Sequence, residues 1–413
     1  MRIRYLAGLV CLLTAAEVNA QPAAPPTLPA GPQQMLPAPD SPASNIDLGT
    51  GTESWKMSGP RFWVNGEYLL WFIRPVRTPD LIQTVPSSVA LNSFAAGTSL
   101  PPGSTTRFFP NSRNLDFGAF SGVRGTVGTT FEHFGVEASY FFLGEQTKSA
   151  SLFNSGVPVS VAETYFRAGT GTPISLLASL DGISSGGISA SVSSKLDGAE
   201  LNARLPFYNF LTDSTDAIVG FRYFNLEEKI NTSFRSDFPN GNSVHVRDSI
   251  STKNQFYGGQ VGLNGKINGV ERGLGFDATG KLALGGVRQQ ATLEGSNTIF
   301  TPGQPADVER GGLFARGASQ GTFTRDKFAM IYEQTFNATY NFNQWAQVYF
   351  GYSIIYISSV QRPGEVIDRV VNDSRARFIA NPPMNSTLDR PAFRWNANDF
   401  WTQGMTFGLR LQY

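Results

Sequence analysis

The sequence is poor in the residues from which disulfides, metal centres and covalent catalysis are built. It holds a single cysteine, Cys11, and two histidines, His133 and His245, in 413 residues. One cysteine cannot form a disulfide within the chain, and so few thiolate and imidazole ligands do not make an ordinary transition-metal centre. We therefore expect no metal site and no cofactor.

Long apolar runs and an excess of one charge are also missing. The sequence contains no stretch of about 18 consecutive apolar residues, so a transmembrane helix is not predicted. Lysine and arginine total 33, and aspartate and glutamate total 32. This balance gives no reason to expect nucleic acid or an anionic membrane surface as a partner.

The first 58 residues are interpreted as an export signal and a linker. Arg2 and Arg4 precede an apolar run too short to span a bilayer, and small residues follow it, which predicts a signal peptide (1–20) cleaved after Ala20. Cys11 lies inside this peptide, so the mature chain would have no cysteine. Residues 21–58 are rich in proline and are predicted to form a disordered linker. Residues 59–413 remain as one body.

The last stretch of the chain shows the dominant pattern of that body. In residues 399–413 every second side chain is large and mostly apolar, and those between them are small or polar. Such alternation predicts a strand with two different surroundings. A terminal strand that ends on an aromatic residue is typical of outer-membrane barrels presented for insertion. We therefore predict an assembly signal, read by the barrel-assembly machinery, at Phe407, Leu409, Leu411 and Tyr413.

The alternation recurs ten times, and the connections between the strands alternate between short and long. This arrangement predicts an all-β protein of the bacterial outer membrane, an antiparallel up-and-down transmembrane β-barrel with short periplasmic turns and long extracellular loops. About ten strands are expected. Residues 146–191 have room for another hairpin, so twelve strands is the alternative. Aromatic girdles are predicted at both ends, with Trp63 at the short turns and Trp71 at the long loops.

Six acidic and five basic side chains fall on the polar face of the predicted strands. A barrel of about ten strands is close to the size that side chains fill, and a near-balanced set of charges favours pairing across a narrow lumen. The predicted lumen-lining residues are Glu67, Asp116, Arg124, Glu137, Glu200, Arg204, Arg222, Asp277, Lys281, Glu333 and Arg410.

Two functions fit this pattern, and the alternation does not separate them. One is passive diffusion of small polar solutes, with the lumen charges setting selectivity. The other is a plugged structural or surface-interaction barrel that acts through its long loops and its proline-rich arm. Outer-membrane lipid is an expected partner in both cases.

Three short patterns imitate the sites of enzymes. Residues 275–281 have the spacing of a phosphate-binding loop, but Leu282 stands where serine or threonine would hold magnesium. His245 precedes Asp248 by three residues, an arrangement that could mimic the Asp and His of some barrel proteases, whereas His133 lies at a turn. A histidine in a loop lacks the orienting carboxylate and the nucleophile that a general base needs. We predict that the protein is not an enzyme.

Five segments resemble the bacterial family named putative beta-barrel porin family seven, and together they extend from the first strand to the last. The resemblance implies a secreted outer-membrane barrel and, from the family's name, a porin; it implies no catalytic residues. The connection between the third and fourth strands looks particular to this chain. The segments are Phe62-Trp-Val-Asn-Gly-Glu-Tyr-Leu-Leu-Trp-Phe72, Gly220-Phe-Arg-Tyr-Phe-Asn-Leu-Glu-Glu228, Asn254-Gln-Phe-Tyr-Gly-Gly-Gln-Val-Gly-Leu263, Arg362-Pro-Gly-Glu-Val-Ile-Asp368 and the strand from Asp399 to Tyr413.

Overall fold

The computed structural model describes residues 61–207, 212–270, 273–379 and 387–413. The predicted signal peptide (1–20), its cleavage after Ala20 and the predicted linker (21–58) lie outside the described residues. They stay predictions.

Ten antiparallel strands form one closed barrel. Each pairs with its neighbours in the sequence, and the first and last strands pair with each other, for example Tyr68 with Phe407. The predicted ten-stranded, up-and-down barrel is confirmed, including the pairing that closes it. The strands are β1 (Arg61–Ile73), β2 (Ala119–Thr130), β3 (Gly135–Asn154), β4 (Ser185–Phe207), β5 (Ser214–Asp237), β6 (Ser243–Val270), β7 (Leu274–Phe300), β8 (Gly321–Asn341), β9 (Ala346–Gln361) and β10 (Ala397–Gln412).

The outer wall is apolar near the short turns and polar farther up. On β5 the outward side chains run from Ala217 through Phe221 to Tyr223, and then change to Asn225 and Glu227. A tilted strand crosses the hydrocarbon core with about 9–11 residues, whereas β5 has 24. The long strands therefore extend the wall beyond the membrane on the side of the long loops.

Two tryptophans lie on the other side of the wall from where they were predicted. The odd-numbered residues of β1 face the interior, so Trp63 and Trp71 do not belong to the outer girdles. Trp71 is fully buried, its ring lies 5.7 Å from that of Phe141, and its centroid is 5.3 Å from the guanidinium carbon of Arg124. In a strand, the parity of a residue decides its face, whatever the side chain prefers.

The long connections fold into a second sheet of five strands, which is separate from the barrel. Its strands are Ile82–Pro86, Thr106–Phe109, Val159–Arg167, Pro173–Leu177 and Val370–Val371. The segment 146–191 therefore completes β3, begins β4 and adds two strands to this sheet, so the twelve-strand alternative is wrong.

The remaining elements are short. The strands Val76–Arg77 and Asn114–Leu115 pair with each other, and Asp307–Arg310 pairs with β7. The helices are Ser87–Ala96 and Pro363–Val366, with 3-10 turns at Gly317–Ser319 and Asp373–Arg375. Within the described ranges, no helix is long and apolar enough to cross a membrane.

The hydrophobic core lies in the upper half of the interior, between the barrel wall and the second sheet. Inward residues such as Ile188 and Leu226 belong to the same buried cluster as Ile82 and Val161 of the sheet. Apolar side chains from segment 311–316 join this cluster. We call the five-stranded sheet, the helix Pro363–Val366 and residues 311–316 the plug.

Candidate functional site

The lower half of the interior, below the plug, is polar. Ten of the eleven predicted lumen residues lie on barrel strands with their side chains on the inner face. Asp116 does not. It lies outside the barrel strands in an exposed turn, where its carboxylate accepts a hydrogen bond from the Gly118 amide. The alternation was extended too far there, because Leu115 and Phe117 are buried outside β2.

A chain of ion pairs crosses the lumen at mid-height. Arg222 on β5 approaches the carboxylate of Glu333 on β8 to 2.5 Å, and these strands are not neighbours. Arg124 on β2 lies 3.7 Å from the same carboxylate and 3.5 Å from Glu67. Four strands, β1, β2, β5 and β8, are thus connected through the centre of the barrel.

Glu200 extends the chain of ion pairs on the other side. Its carboxylate lies 2.6 Å from the amine of Lys281 and 3.6 Å from Arg222. Just below, Arg204 pairs with Glu137 at 3.0 Å and with Asp216 at 2.5 Å. We call these nine side chains the charge network: Glu67, Arg124, Glu137, Glu200, Arg204, Asp216, Arg222, Lys281 and Glu333.

Uncharged side chains complete the charge network, and the sequence analysis missed them. Asn202 donates to Glu137 and Glu200, and it accepts a hydrogen bond from Gln260. Tyr349 donates its hydroxyl hydrogen to the carboxylate of Glu67, at 2.6 Å. Asn202 and Gln260 lie on the polar face that the alternation predicts, so the alternation could have identified them. The predicted lumen residues included only the charged residues of that face.

The lack of a side chain at Gly408 leaves room for the ring of Tyr349 inside the wall. The neighbouring strand carries Gly408, and a Cβ atom there would come within 2.0 Å of the Tyr349 ring. No side chain fits at this position without moving the ring. The glycines of the small polar face therefore admit large side chains from adjacent strands.

Several side chains at the height of the charge network are almost completely buried. The side chains of Arg222 and Glu333 are 1% and 2% exposed, and Asn202 and Gln260 are each 2% exposed. A water-filled channel would leave inward side chains accessible, whereas these four are covered by one another and by their neighbours. Ten strands form a barrel that side chains can fill.

The last two predicted lumen residues lie at the periplasmic mouth. Asp277 accepts a hydrogen bond from Asn337 at 2.7 Å, and Arg410 donates to Gln347 at 3.2 Å. Together with Lys266 they line a polar cavity of about 260 Å³. This cavity lies below the charge network.

A buried ion pair fixes the plug to the wall above the network. Arg362 donates to both carboxylate oxygens of Glu228 on β5, at 2.8 and 2.5 Å, and its third nitrogen donates to the carbonyls of Arg74 and Pro75. The side chains of Arg362 and Glu228 are 5% and 0% exposed. Arg362 opens the Arg-Pro-Gly-Glu segment that carries the family resemblance. The segment thus holds the plug in place.

A second buried carboxylate receives the segment 311–316. Asp248 on β6 accepts hydrogen bonds from the amides of Leu313, Phe314 and Ala315 at 2.7–3.2 Å. His245 lies on the outward face of the same strand, so the two side chains are on opposite sides of the wall. They do not form a catalytic pair.

Glu163 lies in the plug without a full set of partners. Its side chain is 2% exposed, and one carboxylate oxygen has no hydrogen bond among the described residues. Burial raises the pKa of Glu163 well above its ordinary value, the charge of Asp248 raises it further, and the charge of Arg369 acts in the opposite direction. The folded plug therefore favours the protonated form of this carboxyl group more than water does.

The other two sequence patterns that resemble enzyme sites lie in a strand and in a turn. Residues 275–281 lie within the strand β7 and open no helix. His133 is exposed at a short turn, 3.9 Å from Glu132. Over the described ranges, no three His, Cys, Asp or Glu side chains are grouped so that they could hold a metal ion.

Fold and interior together define a β-barrel protein of the bacterial outer membrane, in which residues of the long connections share a buried cluster with the inner wall. The chain belongs to the family Putative beta barrel porin-7 (BBP7), whose model matches residues 63–413. No curated protein matches the chain.

Several solved outer-membrane barrels are similar in structure. The outer-membrane protease OmpT of Escherichia coli is 9% identical, with a TM-score of 0.42 over 87% of this chain and 99% of its own. A FadL homologue of Pseudomonas aeruginosa is 8% identical, with a TM-score of 0.22 over 86% of this chain and 90% of its own. The toluene transporter TodX of P. putida is 8% identical, with a TM-score of 0.19 over 87% and 91%.

Proposed function

We propose that the protein is a closed barrel that serves the outer membrane as a structural or surface-interaction protein, not as an open diffusion pore. The observation that carries this proposal is the charge network, which joins opposite walls through Arg222 and Glu333. The plug covers the same lumen from the extracellular side. The function of such a barrel resides in the surfaces that it displays.

Opening the lumen at the network would be costly. Separating Arg222 from Glu333 without a replacement partner leaves charged groups in a poorly hydrated interior, which costs several kcal/mol per ion after relaxation, about 3–5 kcal/mol for a broken buried pair. The extended network of Glu67, Arg124 and Glu200 would have to rearrange as well. A resting pathway for solutes is therefore not expected.

The proposal is tested by inserting the purified, refolded protein into planar lipid bilayers. We expect no stepwise conductance at moderate voltage in the wild-type protein. Stable ohmic steps from most inserted molecules would contradict the proposal. A known open porin, reconstituted in the same way, controls for insertion.

Passive diffusion of small polar solutes is the second candidate. The polar lower interior and the cavity of about 260 Å³ at the periplasmic mouth favour it, as does the name of the family. This function would require both the plug and the charge network to move. Swelling of proteoliposomes in sugars of increasing size would detect such a pathway even where the conductance is small.

A closed outer-membrane barrel also implies particular partners and a lack of catalytic activity. The apolar outer band is expected to contact outer-membrane lipid, and the assembly signal is expected to be read by the barrel-assembly machinery. Because His245 and Asp248 are separated by the wall, this pair cannot act as a general base with its orienting carboxylate. We propose no catalytic activity.

A further inference from the structure

A cavity between the first and the last long connection is lined by arginines from both. Its volume is about 520 Å³, and its charged lining residues are Arg77, Arg113, Arg369 and Glu365. Arg77 and Arg113 come from the first long connection, and the other two come from the last. Folding therefore brings three cations and a single carboxylate to one cavity.

Two of these arginines have little or no pairing within the protein. Among the described residues, the guanidinium of Arg113 forms no hydrogen bond or ion pair, and Arg113 is exposed. Arg77 lies 3.9 Å from Glu365, which is beyond hydrogen-bond distance, and its side chain is 65% exposed. By contrast, the nearby Arg107 is bonded to Asp80.

Arg369 lies deeper in the cavity wall. It donates one hydrogen bond to the carbonyl of Thr164, at 3.0 Å, and its guanidinium carbon lies 5.1 Å from the centroid of the Phe166 ring. Its Nε is buried and has no hydrogen-bond partner in the described structure. Among nearby carboxyl groups, Glu163 has a pKa raised by burial, and Asp80 is paired with Arg107, so neither neutralises Arg369 fully.

The backbone around the cavity is held in a defined arrangement. The strands Val76–Arg77 and Asn114–Leu115 pair, which keeps Arg77 and Arg113 on adjacent segments. Gly364 lies against this pair, and a Cβ atom there would come within 1.7 Å of the Arg77 carbonyl oxygen. Arg362 anchors the same segment to Glu228. One wall of the cavity is thus the segment that carries the family resemblance.

We propose that this cavity binds the carboxylate or phosphate group of a small solute on the extracellular side. Guanidinium groups recognise such oxyanions with paired N–H donors, and a net excess of two positive charges remains after Glu365 is counted. The anion would supply the acceptors that Arg113 and Arg77 lack. The proposal goes beyond the closed-barrel function, because the cavity is formed by the long connections and is complete whether or not the lumen conducts.

In the test, the full chain is refolded in detergent and titrated with inorganic phosphate at constant ionic strength. Isothermal titration calorimetry measures the binding. Acetate, titrated separately, measures the affinity for a carboxylate. The variants Arg113→Gln and Arg77→Gln change exposed side chains that do not support the fold. Arg375→Gln is the matched control, since Arg375 is an equally exposed arginine in an ion pair with Asp389, 52% exposed and outside the cavity.

Saturable binding of phosphate or acetate that weakens roughly tenfold or more in Arg113→Gln and Arg77→Gln, but not in Arg375→Gln, is the expected result. Binding of phosphate alone, or of acetate alone, would assign the oxyanion class. Absence of saturable binding for both anions, or equal weakening in the Arg375→Gln control, would overturn the proposal. Circular dichroism of each variant shows that the barrel has folded.

Discussion

Arg362 is the single residue on which the position of the plug depends most. It joins the loop segment to Glu228 on β5 and to two backbone carbonyls, all within a buried region. Arg362→Gln should destabilise the folded plug by about 3–5 kcal/mol, because it leaves the Glu228 carboxylate buried and unpaired. Hydrogen exchange of the amides of strand Val159–Arg167, measured by mass spectrometry, reports this loss.

Two comparisons isolate the effect of the buried charge. The double variant Arg362→Gln with Glu228→Gln should lose less protection than Arg362→Gln alone, since neither charge remains. Arg375→Gln removes an exposed ion pair and should cost no more than about 1 kcal/mol. Equal exchange rates in Arg362→Gln and Arg375→Gln would show that Arg362 does not fix the plug.

Glu163 makes the stability of the plug depend on pH. Its pKa is raised in the folded state by burial and by Asp248, and is partly lowered by Arg369, so the folded plug holds this proton more tightly than the unfolded segment does. The contribution to stability is therefore complete below the ordinary carboxyl pKa. It is lost as the pH rises from there through the raised pKa.

Glu163→Gln keeps the shape of the side chain and removes its titration. As the pH rises, we expect the plug amides of the variant to lose less protection from hydrogen exchange than those of the wild-type protein. At neutral pH, their protection should be at least as high as in the wild-type protein. Hydrogen exchange of Val159–Arg167, corrected for the intrinsic effect of pH on exchange, gives the comparison. An unchanged pH dependence in Glu163→Gln would assign the effect to another group.

At the scale of the strands, the period-two pattern predicted most of the faces. On β4 it placed Leu201 outward and Asn202 inward, and Leu201 is exposed while Asn202 is buried. The pattern failed where it was continued past a strand end, as at Asp116. The girdle prediction failed at Trp71, because the aromatic residue was placed by its chemistry and against the period-two pattern. Strand ends and loop paths depend on contacts distant in the sequence.

The plug shows why the structure of the long connections and the identity of the paired side chains could not be predicted from the sequence. The strand Val370–Val371 runs parallel to residues 166–167, which are about two hundred positions away in the chain. Local alternation contains no information about such a pairing. The pairing of Arg362 with Glu228 has the same character, although each residue lies in a segment that resembles the family. The balance of charges predicted pairing inside the lumen, but not which side chains pair.

The outward face of β4 offers a test of membrane placement. Leu201→Arg should destabilise the barrel by about 2–4 kcal/mol if this position lies near the middle of the bilayer, because it exposes a charge to hydrocarbon. Leu201→Met is the matched control and should have little effect. Unfolding in urea from lipid vesicles measures both, and equal stability of the two variants would place Leu201 outside the membrane.

Asn202, the residue after Leu201, is not expected to tolerate a charged substitution. Its amide bonds with Glu137, Glu200 and Gln260, so an arginine there would disturb the charge network. The sequence alone predicts that a polar inner face accepts charged substitutions. The structure changes that expectation, because this part of the face is closed to water.

At the scale of the whole molecule, the predicted assembly signal at Tyr413 can be tested. Tyr413 is 80% exposed, and its amide donates to the carbonyl of Phe62 at 2.8 Å. If its ring is read by the assembly machinery before insertion, Tyr413→Ser should lower outer-membrane abundance in cells and leave refolding in detergent unchanged. Normal abundance of the variant in cells would contradict the assembly signal.

The closed lumen is the central claim, and the accessibility of one buried position tests it most directly. Ser353 lies on the inner face of β9 and is 1% exposed, whereas Ser214 is exposed at the periplasmic mouth. With Cys11 replaced by serine, Ser353→Cys and Ser214→Cys each give a protein with one thiol. In the folded protein in lipid vesicles, a charged thiosulfonate reagent should modify the cysteine at 214 rapidly and leave the cysteine at 353 unmodified. Modification of both thiols at similar rates would show that water and ions pass through the lumen.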